Sequence, residues 1–308
     1  MVIVCPAHPL GSGMATLTTR SPRRRSLVVT HIEPPAEGAA LVYQARLPLS
    51  RQTLRLVTRA IRTHREQVRS RWRKLSDLQT ALIVLAVLRH DQRPADLAAA
   101  YQVSHHSVRR WVKHTVTVLA GMAPRLDRVL ARAAHTRDTQ PALLLDGTCL
   151  PAHRPTGKKE KRYWCGKHKA HHTRVITLTD HHGRLLWISP AAPARLHETT
   201  QAKRLHLPAR LRHHDLAIIT DRNHTRLDDQ PHTNPTVMVG RRGCTNHKLT
   251  PAEKHVNTLL AAERAGNEHA HAHLKNWRIT TRLRHDWRAN TTTLLRALLV
   301  LTNTEINR

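Results

Sequence analysis

Apolar positions recur every three to four residues from about residue 52 to residue 120, and that rhythm changes beyond residue 140. The stretches QTLRLVTRAIRTHREQVRSRW, SDLQTALIVLAVLRHD, PADLAAAYQ and SHHSVRRWVKHTVTVLA each carry the helical period, so four helices are expected there. Ser76 with Gln79 three residues on has the spacing of a capping box, and Pro94 suits a first helical turn, where no N–H is needed. Between 140 and 240 the short apolar runs ALLLD, RVITLT, RLLWIS, LAIIT and TVMVG, separated by Gly, Pro and His, predict strands. A long helix over about 251–276 and a shorter one near 290–303 follow. Residues 1–38 hold scattered Pro, Gly, Ser and Thr around the basic cluster SPRRRS with no steady period. They read as a disordered arm, or as a mis-assigned start with Met14 as another candidate. The expected organisation is therefore this arm, a helical domain over 39–122, and a domain of mixed α+β or α/β class over 138–305.

Within the helical region, a short helix at 94–100, a turn of three to four residues and a second helix starting near Ser104 have the spacing of a helix-turn-helix. Val108, Trp111 and Val112 fall on one side of the second helix and are expected to pack inward. His105, Arg109, Arg110 and Lys113 then face outward, where a DNA groove and its phosphates would lie. In a neutral protein a merely solvated bundle face would be the better reading. The charge of this chain reverses that preference.

Lys plus Arg total 51, of which 40 are Arg, against 21 Asp plus Glu, giving a formal charge of +30 and a pI near 11.6. A polyanionic partner is the simplest account, and the planar guanidinium suits phosphate and guanine better than an ammonium does. A GC-rich coding sequence would also enrich Arg, but drift alone does not keep such a surface on a small-molecule enzyme. Cys5, Cys149, Cys165 and Cys244 form no CxxC pair, so a reducing compartment shared with DNA is expected, without disulfides. No run of about 18 apolar residues suggests a membrane span, and residues 1–13 lack the basic start and apolar core of a signal peptide. Phe is absent and Phe, Trp and Tyr together make 3%, which disfavours base stacking as the binding mode.

The chemistry is carried by acids. Asp146 follows the apolar run ALLL and precedes Gly147 and Thr148, where a strand would end in a turn, and Asp221 follows LAIIT in the same manner. On the helix at 251–276, Asn257, Arg264, Glu268 and Lys275 fall within about 20° of a common direction, while Leu259, Leu260 and Leu274 lie elsewhere and Glu263 is off the stripe. Glu268 is thus the third candidate, with Arg264 and Lys275 placed to meet phosphate. Gly266 inside this helix costs about 1 kcal/mol relative to Ala, and the sequence alone gives no reason for it. Three carboxylates from two strand ends and one helix can hold two divalent ions. Such a pair activates water, stabilises the crowded phosphorus centre and supports the leaving 3′ oxygen in phosphodiester cleavage.

At these residues the chain resembles the IS5 group of bacterial insertion-sequence transposases, within the DDE superfamily. The stretches LLLDGTCLPAHRP, YWCGKHKAHHTRVITLTDHHGRLLWISP, IITDRNH and VNTLLAAERAGNEHAHAHLKNWRI, with the later RLRHDW, carry the likeness, which runs from about residue 41 to the C-terminus. It implies a helix-turn-helix domain ahead of a ribonuclease-H-like catalytic domain, with Asp146, Asp221 and Glu268 as catalytic acids and metal ligands. It also implies Mg²⁺ or Mn²⁺ as cofactor and double-stranded DNA, both terminal inverted repeats and target, as substrate. Lys167 in the Gly166-Lys167-His168 run is implied to meet phosphate, and a homo-oligomer to hold both element ends, in a cytoplasmic, nucleoid-associated bacterial protein. Two departures stand out: His197-Glu198 where the family has a His-Asp pair, and Arg222-Asn223-His224 after the second acid where it has Lys-Gly-Tyr.

Three other readings compete. Cys165, His168, His171 and His172 have spacing that could supply zinc ligands. A decayed copy with idle acids would act only as a DNA-binding protein or repressor. A basic structural nucleic-acid protein is disfavoured, because it needs no acids at strand and helix ends.

Overall fold

The computed structural model describes residues 2–4, 17–18, 28–29, 44–70, 73–136, 143–154, 160–228, 230, 232–233, 235–244, 248–283 and 288–306. Most of the expected arm over 1–38 lies outside these residues. What is described there is three short strands, β1 (Val2–Val4), β2 (Leu17–Thr18) and β3 (Val28–Val29). β2 and β3 pair with each other, and β1 pairs antiparallel with β4 (Gln44–Arg46). The chain divides into two compact units, one of residues 1–119, 277–279 and 304–308, the other of residues 120–276 and 280–303.

The first unit is helical. α1 (Arg51–Gln67) starts at Ser50, whose hydroxyl accepts from the Thr53 N–H, and α2 (Asp77–His90) starts at the Ser76–Gln79 capping box read from the sequence. Ile83 through Leu88 of α2 are all buried, so this helix is apolar on every side and forms the centre of the unit. Each such Leu or Ile contributes roughly 1.5–3 kcal/mol by leaving water. Arg65 of α1 is buried beside it, donating to Asp77 at 2.6 Å, to Thr80 at 2.9 Å and to the Leu75 carbonyl at 3.2 Å. α3 (Pro94–Ala100) and α4 (His105–Met122) follow, separated by residues 101–104, with Ser104 accepting from the Ser107 N–H. Val108 is fully buried, Trp111 and Val112 half-buried, and His105, Arg109, Arg110 and Lys113 exposed.

The second unit is a mixed α/β domain, compatible with a ribonuclease-H-like fold. It opens with α5 (Leu126–His135), a helix the sequence pattern did not reveal. β5 (Leu143–Pro151), a short α6 (Glu160–Tyr163), β6 (Trp164–Cys165), β7 (Ala170–Thr179), β8 (Leu185–Ile188) and β9 (Ala192–Pro193) come next. α7 (Glu198–Arg204), α8 (Leu207–His213), β10 (Ile218–Thr220), β11 (Val237–Val239), α9 (Pro251–Lys275) and α10 (Arg288–Ile306) complete it; the last few residues of α10 belong to the first unit. The sheet runs β11-β10-β5-β7, with β6, β8 and β9 also on β7. β7 runs antiparallel to both β5 and β8, whereas β10 and β11 run parallel to β5.

Strand alternation sorts the two faces. Leu143 and Leu145 of β5, Ile176 and Leu178 of β7, and Ile218 of β10 form one core with Leu126, Val129 and Leu130 of α5, Ala202 of α7, and Leu207 and Leu211 of α8. The alternate residues Thr177 and Thr179 of β7 turn to the other face, where His271 and Asn267 of α9 bond to their hydroxyls. The structure also accounts for Gly266. A Cβ there would lie 3.3 Å from the Gly183 nitrogen and the His181 carbonyl, so the helix and the 180–184 turn meet backbone to backbone.

Candidate active site

The sequence pattern stops β5 at Asp146, but the strand continues to Pro151, with Asp146 opposite Thr177 and Gly147 opposite Ile176. The antiparallel partner β7 is long enough to carry β5 past the acid. What ends at this level is the parallel partner. β10 pairs Ile218 with Leu143 and Ile219 with Leu144, then finishes at Thr220. Continuing that register sets residue 221 beside residue 146, where strands in a sheet lie about 4.8 Å apart. Both acids therefore occupy the crevice beyond the carboxyl end of a parallel strand, the usual location of sites in open α/β sheets.

Asp146 lies on the α9 face. Its carboxylate is 3.9 Å from Arg264 Nη2 and 3.8 Å from His271 Nδ1, and it accepts the Gly147 N–H at 2.9 Å. Burial pushes its carboxyl above the ordinary range; the Gly147 N–H and Arg264 pull it down, and the nearby Asp221 charge raises it again. Asp221 is also lifted by burial, but a 2.6 Å hydrogen bond from His224 Nδ1, that residue's charge and the Asn223 N–H outweigh this and leave it below the ordinary range. The local fold supplies these donors, because Asp221 caps a 3₁₀ turn over Arg222–His224.

On α9 the inward face is rotated from the stripe expected from the sequence. Asn267, Ala270, His271 and Leu274 are buried and Asn257, Leu260 and Arg264 half-buried, whereas Glu268 and Lys275 are exposed and Leu259 is 55% exposed. Asn267 and His271 share the buried face with Ala270 and Leu274, so polar side chains that no hydrophobic pattern marks complete it. At about 100° per residue, Glu268 sits about 40° from Arg264 and about 60° from His271, the two residues that reach Asp146. Glu268 is thus on the solvent edge of the site, close enough for its charge to raise His271. His271 is nevertheless pushed down to about 4, by burial first and then by Lys275. Lys167 lies exposed in the turn between β6 and β7 and makes no hydrogen bond or ion pair with these acids.

A fourth acid stands where the chain departs from the family's His-Asp pair, a position that neither the strand ends nor the helix stripe single out. Glu198, at the start of α7, lies over Gly147 on the opposite face of β5 from Asp146. It pairs with Arg174 of β7 at 2.9 Å, and its other oxygen is 3.6 Å from His224 Nε2. His224, fully buried, thus stands between Asp221 and Glu198. Nothing in the spacing of Arg174 or His271 signalled a place in the site.

Among the described residues no three His, Cys, Asp or Glu side chains converge into a ready-made metal cage. The zinc reading gains no geometry: the His168 and His172 rings stack at 4.7 Å, while His171 turns edge-on to Trp164. Asp146 and Asp221 do fit a hard cation. Both supply carboxylate oxygens at one level of the sheet, and the Asp221 charge raises Asp146, a repulsion that a cation between them would relieve.

A family model described as DDE superfamily endonuclease matches residues 145–303, just over half of the 308-residue chain. Neither a curated protein nor a solved structure gives a significant match. The matched span begins one residue before Asp146 and includes Asp221, Glu198 and all of α9. Endonucleases of this superfamily typically use divalent metal ions, which agrees with the donor chemistry of the two acids. The chain belongs to the DDE superfamily endonucleases.

Proposed function

We propose that this chain is a transposase that binds the terminal inverted repeats of an insertion sequence of the IS5 group, cuts phosphodiester bonds at its ends and joins the freed 3′-OH to target DNA. The observation that carries the reading is the shared level of Asp146 and Asp221 beyond the end of β10, within the span matched by the endonuclease family. Asp146, Asp221 and Glu268 would hold two Mg²⁺ or Mn²⁺ ions, which supply an activated water and charge stabilisation at phosphorus. Asp146 and Asp221 are fixed by the sheet and by the 222–224 turn, and Glu268 approaches from the exposed edge of α9. Arg264 stands near both carboxylates and can meet the phosphate whose charge grows as the bond breaks. His224 and Arg174 hold Asp221 and Glu198 in place.

End recognition is assigned to the pair α3 and α4 acting as a helix-turn-helix. His105, Arg109, Arg110 and Lys113 of α4 are exposed, as a groove-reading face requires. Lys167 and Lys275 add phosphate contacts. The protein would act in the nucleoid as a homo-oligomer, because two element ends must be held together. No helix among the described residues is long and apolar enough to cross a membrane. The test compares binding and cutting of an inverted-repeat duplex by Asp146→Asn. Cutting should vanish while binding stays within about threefold of the wild type; equal loss of both would remove Asp146 from the catalytic role.

A further inference from the structure

Beside Asp221 lies an open cavity of about 510 Å³ lined by Asp221, Arg222, Asn223, Arg242, Gly243 and Arg264. Three arginines thus line the cavity against one carboxylate, and that carboxylate is already engaged by His224 and by both the N–H and the side-chain amide of Asn223. The Arg222 guanidinium has no hydrogen bond or ion pair among the described residues. Arg264 has a buried Nε without a partner and reaches Asp146 only at 3.9 Å. The wall therefore carries more positive charge than its own acid neutralises.

This cavity is built rather than incidental. Asn257 of α9 clamps the Arg241 backbone, accepting its N–H at 2.9 Å and donating to its carbonyl at 3.0 Å. That clamp needs Gly240, since a Cβ there would fall 2.6 Å from Asn257 Oδ1. Held in this way, the segment after β11 turns Arg242 back over the 221–224 loop, where it donates to Asn223 Oδ1 at 2.6 Å. Asn223 in turn holds Asp221 Oδ2 at 2.6 Å, so the arginine wall and the acid are parts of one hydrogen-bonded unit.

We propose that this cavity seats a backbone phosphodiester of the nucleic-acid strand, on the Asp221 side of the bond being cut, with Arg222 and Arg242 as its principal contacts. The inference rests on the reading of Asp146 and Asp221 as the cutting site. Planar guanidinium forks suit phosphate oxygens, and a site open on one side admits a continuing strand, where a free nucleotide pocket would be closed around its ligand. The seat fixes the strand's register against the acids, and it reads no sequence.

The test uses the full chain in EDTA, so that no cutting occurs, and a set of inverted-repeat duplexes in which one phosphodiester at a time is a neutral methylphosphonate. For the wild type, one position near the cut should weaken binding about five- to tenfold. In the Arg222→Ala/Arg242→Ala double variant that position should no longer matter, and the slope of log Kd against log salt should fall by about 1. Arg222→Lys/Arg242→Lys should restore the slope, which separates lost charge from lost folding. A double variant that still responds at every position as the wild type does would overturn the proposal. Displacement of the duplex by millimolar inorganic phosphate at matched ionic strength would instead identify a free-phosphate site and overturn the strand assignment. Mg²⁺-dependent cutting by the wild type is measured alongside. If cutting occurs and the arginine variants change nothing, the seat fails alone. If no cutting occurs, the cutting reading fails, and the methylphosphonate pattern still reports on the cavity.

Discussion

Gly147, beside the first acid, is the position where a single methyl group should report on the geometry of the site. A Cβ at Gly147 would lie 2.1 Å from Glu198 Cδ and 2.4 and 2.6 Å from its two oxygens, far inside contact distance. Glu198 is the end of a flexible side chain, so it should swing away and leave the sheet in place. What is lost is then the Arg174–Glu198 bond, 2.9 Å long with the side chains 17% and 18% exposed. A hydrogen bond of this charged kind is worth about 1.5–3 kcal/mol. Replacing a strand glycine returns about 0.5–1 kcal/mol of backbone entropy. Gly147→Ala should therefore cost about 1–2 kcal/mol in the wild type. In a Glu198→Ala background, with nothing to displace, the same substitution should be neutral or stabilise by about 0.5–1 kcal/mol. Amide hydrogen exchange in EDTA, read on peptides covering β5 and β7, measures the opening free energy of this ladder directly. The two backgrounds should differ by about 1.5–3 kcal/mol. An equal cost in both would mean that the methyl group meets something other than Glu198 and would refute the placement of that acid over the strand.

Other expectations follow from the same contacts. His271 is pushed from 6.5 to about 4, so the neutral form favours the fold. Its contribution is complete above pH 6.5 and is lost as pH falls through about 4, up to ~3 kcal/mol; an acid titration of unfolding should lose that part of its slope in His271→Gln. Asp146 is raised by burial, so its ionised form opposes folding and the penalty appears as pH rises through its folded value. Asp146→Asn should accordingly melt higher than the wild type at neutral pH without metal, and a lower melting temperature would contradict this. Asp228 accepts the Thr236, Val237 and Gln230 N–H groups, and despite the upward push of burial these hold its carboxyl below the ordinary range. Its stability is present above the ordinary carboxylate value and is lost as pH falls through the folded one. Asp228→Asn should cost about 1–3 kcal/mol at neutral pH and flatten the acid limb of a urea series. Gly266→Ala should destabilise by about 1 kcal/mol despite its better helix propensity, because the facing turn is pinned by the Gly183 N–H on the Asp180 carbonyl and the Arg184 N–H on its carboxylate. A stabilised variant would show that the turn can yield.

The sequence disclosed the elements whose period is strong. The apolar runs around 143, 176, 187, 218 and 237 are all strands, and the capped helices α1, α2 and α9 start within a few residues of their signals. Some helices are not legible in the period. α7 and α8 are seven residues each, too brief for two full turns of pattern, whereas α3, equally short, shows through its place in the helix-turn-helix spacing; the Ala and Arg content of α5 reads as a linker. At the site, Asp146 and Asp221 were legible because each follows an apolar run. The reason they meet was not legible, since it lies in the parallel register of β5 and β10, which one sequence does not carry. Glu268 was reached by helix angle and family likeness together, yet the angle placed it facing inward. The helix turns its Asn267 and His271 to the sheet, because Thr177 and Thr179 offer them hydroxyls there.

Cutting at Asp146, Asp221 and Glu268 is tested by Mg²⁺-dependent cleavage of a labelled duplex carrying the inverted repeat that flanks the gene, with the wild type beside Glu268→Gln. Glu268 is exposed, so its substitution leaves the fold and the α4 face untouched, and both proteins should bind the duplex alike. The wild type should cut, dependent on the ion, and Glu268→Gln should lose at least about a hundredfold. Equal cutting by both would contradict the assignment of Glu268 as the third acid, and binding without cutting by either would favour a catalytically decayed copy that acts only as a DNA-binding protein.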